Sequence, residues 1–389
     1  MALLFHKEIV LLIWVLFDAY LLKVKDIMEN ILKATFTDKS NWIKGSAPRV
    51  LIMMSGGVDS SAAALILQSE GYDAAGLTMS TSADTTAAKS AAEVCRELNI
   101  PHFSVNITGE FKNLVSGPFC RLYQLGKTPN PCADCNERIK FGLLWNIAEN
   151  MWGDDFAIAT GHYARIVKRY GVSYLARGAN LKKDQSYFMS GIKRERLARI
   201  LFPLGDFITK DRTRDIVRQA SIAVAERPES MEICFAGESD YRSIIEDPGK
   251  PGPILNKHGE RIGTHQGISN YTVGQRKGLG IASKAPLFVT KILPAENTII
   301  ASEREEAFSK NVCGTNLNVL LPPNIDLSNI KLRGKIRSQG DPSPCKITAV
   351  TQTDIQVEFD EPLFAPAAGQ RLVLYTDDDI VAAGAVITN

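Results

Sequence analysis

The sequence has almost no excess charge of either sign, because 45 Lys and Arg residues are balanced by 43 Asp and Glu residues, leaving a formal net charge of +2. This balance excludes a chain-wide basic field of the kind that binds nucleic acid without specificity, but it leaves room for local basic patches. Long apolar runs are also missing. The most apolar stretch, Ile9–Phe17, ends at Asp18 and is shorter than the about 20 residues that a membrane-spanning helix needs. No small-residue cleavage site follows it, so a signal peptide is not favoured.

Cysteine is too sparse for a disulfide scaffold. The seven cysteines are an odd number spread over 389 residues, whereas secreted scaffolds are short and carry dense, paired cysteines. The remaining composition, with 45% hydrophobic and 23% charged residues, is that of a globular protein, and a chain of this length predicts two or three domains. We therefore expect a multidomain cytoplasmic enzyme, without a membrane anchor, in which selected thiols are metal ligands or catalysts.

What the sequence does contain, from Arg49 onward, is an alternation of strand and helix patterns, which predicts a parallel sheet covered by helices. The predicted strands are Arg49–Met54, Ala74–Met79, His102–Ile107 and Phe156–Thr160, and the predicted helices are Ser60–Glu70, Thr85–Leu98 and Glu137–Glu149. From Pro286 short β-type runs, separated by turns, predict a small barrel or sandwich. The expected fold class is α/β, with a catalytic domain at 46–235, a small central domain at 236–297 and an all-β barrel at 298–389. Residues 1–45 are expected to lie outside the catalytic fold, or to add a helix to its surface, and Met28 is a candidate for the true start.

The strongest local motif is a loop that follows the first predicted strand and opens a helix. It is Ser-Gly-Gly-Val-Asp-Ser-Ser, at Ser55–Ser61. Its glycines allow close backbone approach to an anion, and unpaired N–H groups at the helix start favour phosphate. It lacks the Gly-Lys-Ser/Thr of a Walker A motif and the Gly-x-Gly-x-x-Gly of dinucleotide enzymes. It is similar to the pyrophosphate loop (PP-loop) of the ATP pyrophosphatases, which implies ATP and a Mg²⁺ ion that Asp59 helps to hold.

Six further blocks follow this loop in order. They are Thr128–Pro131, Cys135-Asn136 with Ile139–Phe141, Ala159–Arg165, Lys183–Phe188, Ile233–Phe235 and Tyr271–Gly280. Together they resemble the tRNA-specific 2-thiouridylase family, from about residue 49 to the C-terminus. The resemblance implies an enzyme that uses ATP to adenylate O2 of the wobble uridine of tRNA, at position 34, and then replaces it with sulfur to give 2-thiouridine.

The resemblance also assigns residues to the substrates. ATP binding is implied for Met53, Met54, Ser55, Gly56, Gly57, Val58, Asp59 and Ser60, for Met79 beside the adenine, and for Gly161. Contact with the target base is implied for Asn130, Pro131 and Cys132, and contact with the rest of the tRNA for Lys183, Asp184, Gln185, Arg337 and Ser338. The expected partners are the tRNA anticodon loop and a sulfur donor, either a protein or free sulfide, and the enzyme is expected to be a monomer.

Two stretches supply basic surface for an RNA partner. Residues 182–218 carry ten Lys or Arg against five Asp or Glu, although a solvated helical face would show the same excess. Lys331, Arg333, Lys335 and Arg337 alternate with no acid among them. In a strand they would share one face, which predicts a ridge that follows RNA phosphates.

Three cysteines carry the implied sulfur chemistry. Cys135 matches the family's nucleophile and Cys234 its persulfide-carrying cysteine, and we expect lowered thiol pKa values from nearby cations or helix N-termini. Cys132 stands where the family pattern has an aspartate. Three interpretations stay open. Cys132, Cys135 and Cys234 hold a [4Fe–4S] cluster with one open iron, or Cys135 and Cys234 form a persulfide relay with Cys132 as a spare thiol, or the thiols form a zinc site or a redox disulfide.

Three other functions are alternatives. One is thiolation of another tRNA position, such as 4-thiouridine, through a cluster-bound sulfide. The second is an adenylating amidotransferase or ligase for a small molecule, and the third is an inactive RNA-binding relative. The Cys135 and Cys234 pair and the blocks around Lys183 and Gln275 argue against the second, the intact phosphate loop argues against the third, and no recognisable RNA-binding domain precedes that loop to support the first.

Overall fold

The structure, a computed structural model, describes residues 42, 45–226, 233–236 and 241–388. The helices are α1 Val58–Ser69, α2 Thr86–Glu97, α3 Thr108–Phe111, α4 Gly117–Gln124, α5 Pro131–Asp134, α6 Leu144–Trp152 and α7 Asp211–Gln219, with π-helical segments at Lys112–Ser116 and Cys135–Leu143. The strands are β1 Arg49–Met53, β2 Asp73–Ser80, β3 His102–Asn106, β4 Ala157–Ala159, β5 Ala164–Arg169, β6 Val172–Arg177, β7 Ile200–Leu201, β8 Gly252–Leu255, β9 Arg261–His265, β10 Phe288–Leu293, β11 Thr298–Ser302, β12 Phe308–Val319, β13 Leu332–Lys335, β14 Ser343–Val350, β15 Asp354–Phe364, β16 Arg371–Thr376 and β17 Val381–Ile387.

The catalytic domain is built on a parallel sheet with the strand order β3-β2-β1-β4-β7. All five residues of β1 are buried, as expected for a central strand covered on both faces. The strand order reverses between β1 and β4, and ligands of open α/β sheets bind at the carboxyl ends of the strands at such a point. The predicted α/β fold class is confirmed, and the switch point lies where the phosphate loop leaves β1.

The predicted helix at Glu137–Glu149 differs most from the structure. The chain is π-helical over Cys135–Leu143 and becomes α-helical only in α6. A π-helix closes its hydrogen bonds between residues i and i+5, so the 3.6-residue periodicity used to predict helices does not detect it. A Cβ atom on Gly142 would lie 2.7 Å from the carbonyl oxygen of Glu137, which explains why a glycine suits this segment.

The middle and C-terminal regions are β structures. The middle sheet has the order β10-β11-β8-β9, and β12-β15-β14-β13-β16-β17 form a closed antiparallel barrel. Strand β11 pairs with β8 and β10. It therefore belongs to the middle sheet, whereas the expected boundary after residue 297 placed Thr298–Ser302 with the barrel.

The barrel shares a hydrophobic core with the catalytic domain. Val373 and Tyr375 of β16 lie in the same buried cluster as Trp145 and Tyr187. Trp42 also belongs to this cluster, and its ring lies 5.2 Å from that of Trp152. The expectations of an added surface helix and of a start at Met28 concern residues that lie outside the described part of the chain. No helix in the described part of the chain is long and apolar enough to cross a membrane.

Candidate functional site

The phosphate loop is held in shape by its own serines. The Ser60 hydroxyl lies 3.2 Å from the Ser55 hydroxyl and donates to the Gly57 carbonyl at 3.1 Å. Ser61 donates to the same carbonyl at 2.9 Å. These bonds fix the turn that presents the start of α1 to the cleft, where N–H groups and the helix dipole favour phosphate.

Two glycines allow close approach around this loop. Gly56 has a φ of +72°, and a Cβ atom there would lie 2.6 Å from the Ser90 hydroxyl. Gly161 follows β4, and its Cβ atom would lie 2.6 Å from the carbonyl carbon of Asp59 and 2.8 Å from the amide nitrogen of Ser60. The segment after β4 therefore packs directly against the phosphate loop, and only glycine permits this distance.

Asp59 is part of a polar network. Its carboxylate accepts a hydrogen bond from the Tyr163 hydroxyl at 3.2 Å and lies 3.4 Å from the Lys210 ammonium. Tyr163 also lies 2.9 Å from the Thr213 hydroxyl of α7. No sequence pattern predicts Tyr163, Lys210 and Thr213 as site residues, because they come from separate segments and have no local motif in common.

A cleft of about 410 Å³ opens at the carboxyl ends of β1, β2 and β4. The residues expected at the ATP site that line it are Met53, Met54, Ser55, Asp59, Ser60, Met79 and Gly161. Lys140, His162, Gln185 and Cys234 line the same cleft. Burial, reinforced by the nearby Lys140 charge, holds the pKa of His162 well below its usual value, so this imidazole is neutral at pH 7. The cleft therefore brings the phosphate loop, a cation and a thiol together.

Cys132 and Cys135 both lie close enough to Cys234 for its charge to raise the pKa values of their thiols. Cys135 is buried, whereas the side chains of Cys132 and Cys234 reach solvent. Burial raises the pKa of Cys135 to about 11, and the charge of Lys140 opposes that rise. Desolvation also raises the pKa values of Cys132 and Cys234, and the charge of Lys140 only partly offsets this rise. The expected lowering of the thiol pKa values is therefore wrong, because desolvation outweighs the one nearby cation.

The thiols do not form a ready-made metal site. Within the described ranges, no group of three or more His, Cys, Asp or Glu side chains is arranged to hold a metal ion. The described positions of Cys132, Cys135 and Cys234 thus do not fit a preformed cluster or zinc site.

The segment expected to meet the target base begins with a capped helix. Asn130 accepts a hydrogen bond from the Ala133 amide at 3.0 Å as the N-cap of α5, and Pro131 occupies its first turn. This is the sequence order that starts a helix. Asn130 and Pro131 are buried, whereas Cys132, the third residue expected to meet the base, is exposed.

A buried arginine of the barrel pairs with two acidic residues on either side of Cys135. Arg371, at the start of β16, lies 2.6 Å from the Asp134 carboxylate and 2.7 Å from the Glu137 carboxylate. Its side chain is 5% exposed. Tyr187 donates to the Arg371 carbonyl at 2.8 Å and accepts from its amide at 3.1 Å. No sequence pattern predicts this contact, because it joins residues more than 230 positions apart.

Replacing Arg371 by methionine is expected to lower the free energy of unfolding by about 3 kcal/mol, because it leaves two partly buried carboxylates without their cation. Urea unfolding measures the change. The matched control is Lys346→Met in an exposed pair with Glu358, whose two side chains are 68% and 39% exposed, where less than about 1 kcal/mol is expected. Equal effects in the two variants would contradict the argument.

The residues expected to contact tRNA divide into two groups. The Lys183 side chain is exposed, whereas the Asp184 carboxylate is 1% exposed and binds Arg177 at 3.3 Å. Gln185 accepts from the Tyr163 amide at 2.8 Å and lines the cleft of the phosphate loop. The Asp184 side chain thus faces inward, because Arg177 and the turn amides at Gly178 and Ser186 satisfy it.

The alternating basic residues do not form one exposed ridge. Lys331 and Arg337 are exposed, but Lys335 is 4% exposed and its ammonium donates to the Ser338 carbonyl at 2.8 Å. Arg333 pairs with Asp379 at 2.9 Å. The expected ridge of four free cations is wrong, because Lys335 is buried and Arg333 is paired with an acid.

Three family models match almost the whole described chain. The models are described as a tRNA methyl transferase HUP domain, matching residues 48–238, a tRNA methyl transferase PRC-barrel domain, matching 245–303, and an aminomethyltransferase beta-barrel domain, matching 310–387.

Several proteins with similar sequences are named tRNA-specific 2-thiouridylase. The tRNA-specific 2-thiouridylase MnmA of Pelobacter propionicus is 37% identical over 348 residues, which cover 87% of this chain and 97% of that protein. MnmA 1 of Syntrophus aciditrophicus is 39% identical over 352 residues, with 87% and 92% covered. MnmA of Clostridioides difficile is 38% identical over 357 residues, with 87% and 98% covered. Coverage of this extent requires that each alignment includes catalytic, middle and barrel residues.

Proposed function

Since the chain belongs to the tRNA-specific 2-thiouridylase family, we propose that it replaces O2 of the wobble uridine of tRNA with sulfur, using ATP. The observation that carries the proposal is the shared cleft, which places Cys234 beside the phosphate loop. An enzyme that adenylates a base and then delivers sulfur to it needs both at one position. Thiolation of another tRNA position and an adenylating ligase are less favoured, because the similar proteins are named for 2-thiouridine formation.

The reaction has two displacement steps. Uridine O2 attacks the α-phosphate of ATP, and pyrophosphate leaves. The terminal sulfur of a Cys234 persulfide then attacks C2, and AMP leaves with the original oxygen. Cys135 attacks the Cys234 sulfur, which forms a Cys135–Cys234 disulfide and releases the 2-thiouridine. A protein persulfide renews the Cys234 persulfide after an external thiol reductant has restored the two cysteines. Free sulfide can instead attack the disulfide at the Cys234 sulfur, which forms the persulfide and releases the Cys135 thiol.

ATP binds with its pyrophosphate on the loop from Ser55 to Ser60 and its adenine near Met79, at the end of β2. Asp59 fits a Mg²⁺ site only in part, because it offers one carboxylate that Tyr163 and Lys210 already contact. ATP phosphate oxygens and water would supply the remaining ligands. The ion would neutralise phosphate charge during adenylation.

A [4Fe–4S] cluster on Cys132, Cys135 and Cys234 is the second candidate for the sulfur step. The observation that favours it is that Cys132 and Cys135 both lie close enough to Cys234 to feel its charge, and the described geometry opposes a preformed site. Anaerobic purification followed by iron and sulfide analysis distinguishes the two. Iron-free protein that thiolates tRNA at full rate would exclude the cluster.

The tRNA surface we propose centres on a second cleft of about 510 Å³ where the three regions meet. Its lining includes Thr128, Arg242, Lys277, Arg337, Ser338 and Gln370. Gln370 donates to the Thr128 and Pro129 carbonyls at 3.1 and 3.3 Å, so the cleft adjoins the segment that leads to Asn130. Three cations at its rim suit an RNA backbone, and a base splayed from the anticodon loop would reach Cys132 from this side.

Replacing Arg337 by alanine is expected to weaken tRNA binding about 10-fold and to flatten its salt dependence, because one phosphate contact is lost. Filter binding at several salt concentrations measures both. ATP affinity should not change, since Arg337 does not line the ATP cleft. Unchanged tRNA affinity would contradict the placement of the RNA on this surface.

Nucleoside mass spectrometry of tRNA from cells that lack the protein tests the whole proposal. We expect 2-thiouridine to disappear and to return on re-expression. Purified protein with ATP, a protein persulfide as sulfur donor and unmodified tRNA should form it directly, and failure of both experiments would overturn the proposed function. Size-exclusion chromatography tests the expected monomer, and cell fractionation tests the expected cytoplasmic location.

A further inference from the structure

We propose that Lys140 binds the α-phosphate of ATP and keeps hold of it until AMP leaves. The proposal rests on the proposed function, and it assigns this side chain a role in both displacement steps. Lys140 lies in the π-helical segment Cys135–Leu143 and lines the cleft that also contains the phosphate loop and Cys234.

The π-helix explains how Lys140 reaches this position. Lys140 follows Cys135 by five residues. In an α-helix of 3.6 residues per turn, residues five apart point to different sides. A π-helix bonds residues i and i+5 and so places them on nearly the same side. The segment thus turns Cys135 and Lys140 toward the same part of the site.

The charged side chains of the cleft make Lys140 the natural partner of an anion there. Among the described residues that line the cleft, the acidic ones are Asp59 and Asp84, and Lys140 is the only Lys or Arg. Lys210 does not line the cleft and pairs with Asp59. The loop itself offers the pyrophosphate only neutral hydroxyl and N–H groups, so the wall of the cleft has one cation to set against ATP.

Lys140 also lacks an anion of its own. It is half-buried, and within the described residues it forms no hydrogen bond or ion pair. Two other cations near the site already have an anionic partner, since Lys210 pairs with Asp59 and Arg371 pairs with Asp134. A partly desolvated ammonium without a partner is costly unless a ligand supplies the charge.

Because Lys140 lines the same cleft as both the phosphate loop and Cys234, the α-phosphate is the phosphate of ATP that it fits best. The loop takes the pyrophosphate end, whereas Lys140 is close enough to Cys234 for its charge to act on that thiol. The phosphate that remains on O2 after pyrophosphate leaves must face the sulfur donor. An ammonium at this point offsets the negative charge that grows on AMP as the C2–O2 bond breaks.

AMP and adenosine, which differ only by the α-phosphate, provide the test. For Lys140→Gln, we expect AMP affinity to fall about 10- to 100-fold, as for loss of a charge-assisted hydrogen bond, while adenosine affinity stays unchanged. Lys140→Arg should restore most of the AMP affinity. Lys168→Gln, on an exposed position of β5, is the matched control and should not change either affinity. Isothermal titration calorimetry measures all four proteins.

The outcomes separate this inference from the proposed function. Equal losses of AMP and adenosine affinity in Lys140→Gln, or no loss of either, would overturn the role of Lys140 even if the wild-type protein makes 2-thiouridine. A selective loss of AMP affinity supports it even if no 2-thiouridine is formed. Single-turnover thiolation adds a second readout, for which we expect the Lys140→Gln rate at saturating ATP to fall and the Lys140→Arg rate to recover in part.

Discussion

Serine in place of Cys135 is expected to reduce 2-thiouridine formation at least about 10³-fold, because removal of a nucleophile commonly costs this much or more. A hydroxyl oxygen cannot form the disulfide that releases the product. The phosphate loop and Gly161 do not depend on this thiol, so adenylation should continue. With ATP labelled at the α-phosphate, the variant should release one equivalent of labelled AMP, and its tRNA should stay joined to Cys234 through a disulfide.

The remaining thiols make this experiment specific. Cys313→Ser, in β12 and half-buried, should keep full activity. Cys234→Ser should lose thiolation as Cys135→Ser does. Cys132→Ser should stay active in a persulfide relay and fail if all three thiols hold a cluster. Persistent thiolation by Cys135→Ser would show that Cys135 is not the nucleophile, whereas loss of adenylation as well would point to a disturbed fold.

Alanine in place of Gly161 is expected to slow ATP-dependent adenylation at least about 10²-fold and to weaken ATP binding. The new methyl group would lie 2.6 to 2.8 Å from backbone atoms of Asp59 and Ser60, and backbone cannot rotate away as a side chain can. Either the phosphate loop or the segment after β4 must shift, and displacements near 1 Å in such sites commonly cost about 100-fold in rate. The affinity for ATP and the rate of ATP-dependent adenylation should fall together.

A control glycine separates this clash from a general glycine effect. Gly109 is the second residue of α3, and a Cβ atom there would meet nothing within 4 Å. Gly109→Ala should therefore bind ATP normally and be as stable as the wild type. If Gly161→Ala unfolds at the wild-type temperature and binds ATP normally, the close contact with the phosphate loop is not essential.

The local parts of the fold could be predicted from sequence because they depend on local patterns. The run Arg49–Met54 is a buried strand within one residue of its predicted end, and the loop after it carries the serines and glycines that shape it. The π-helical segment from Cys135 could not be predicted, because its pattern was interpreted as α-helical. The hairpin β5–β6 is not predicted either. Its only turn signal in the sequence is Tyr170-Gly171, where both residues have positive φ.

Contacts between distant segments were the least predictable part of the site. The sequence marks Cys135 and Asp59 through their motifs, but it does not reveal that Arg371 and Lys210 contact these segments from far along the chain. The sequence also does not predict which face of strand β13 is buried. Lys335 belongs to an alternating basic pattern, yet packing against the catalytic domain buries it.

The ion pair between Arg371 and Asp134 limits how the regions of this protein can be exchanged. It joins the first residue of a barrel strand to the peptide between two cysteines, and the two regions share the core around Trp145 and Tyr375. A chimaera that takes its barrel from another protein must therefore import the matching Cys132–Glu137 sequence with it. The two sides of this buried contact should therefore be exchanged together. A cut in the linker after the catalytic domain would separate Arg371 from Asp134.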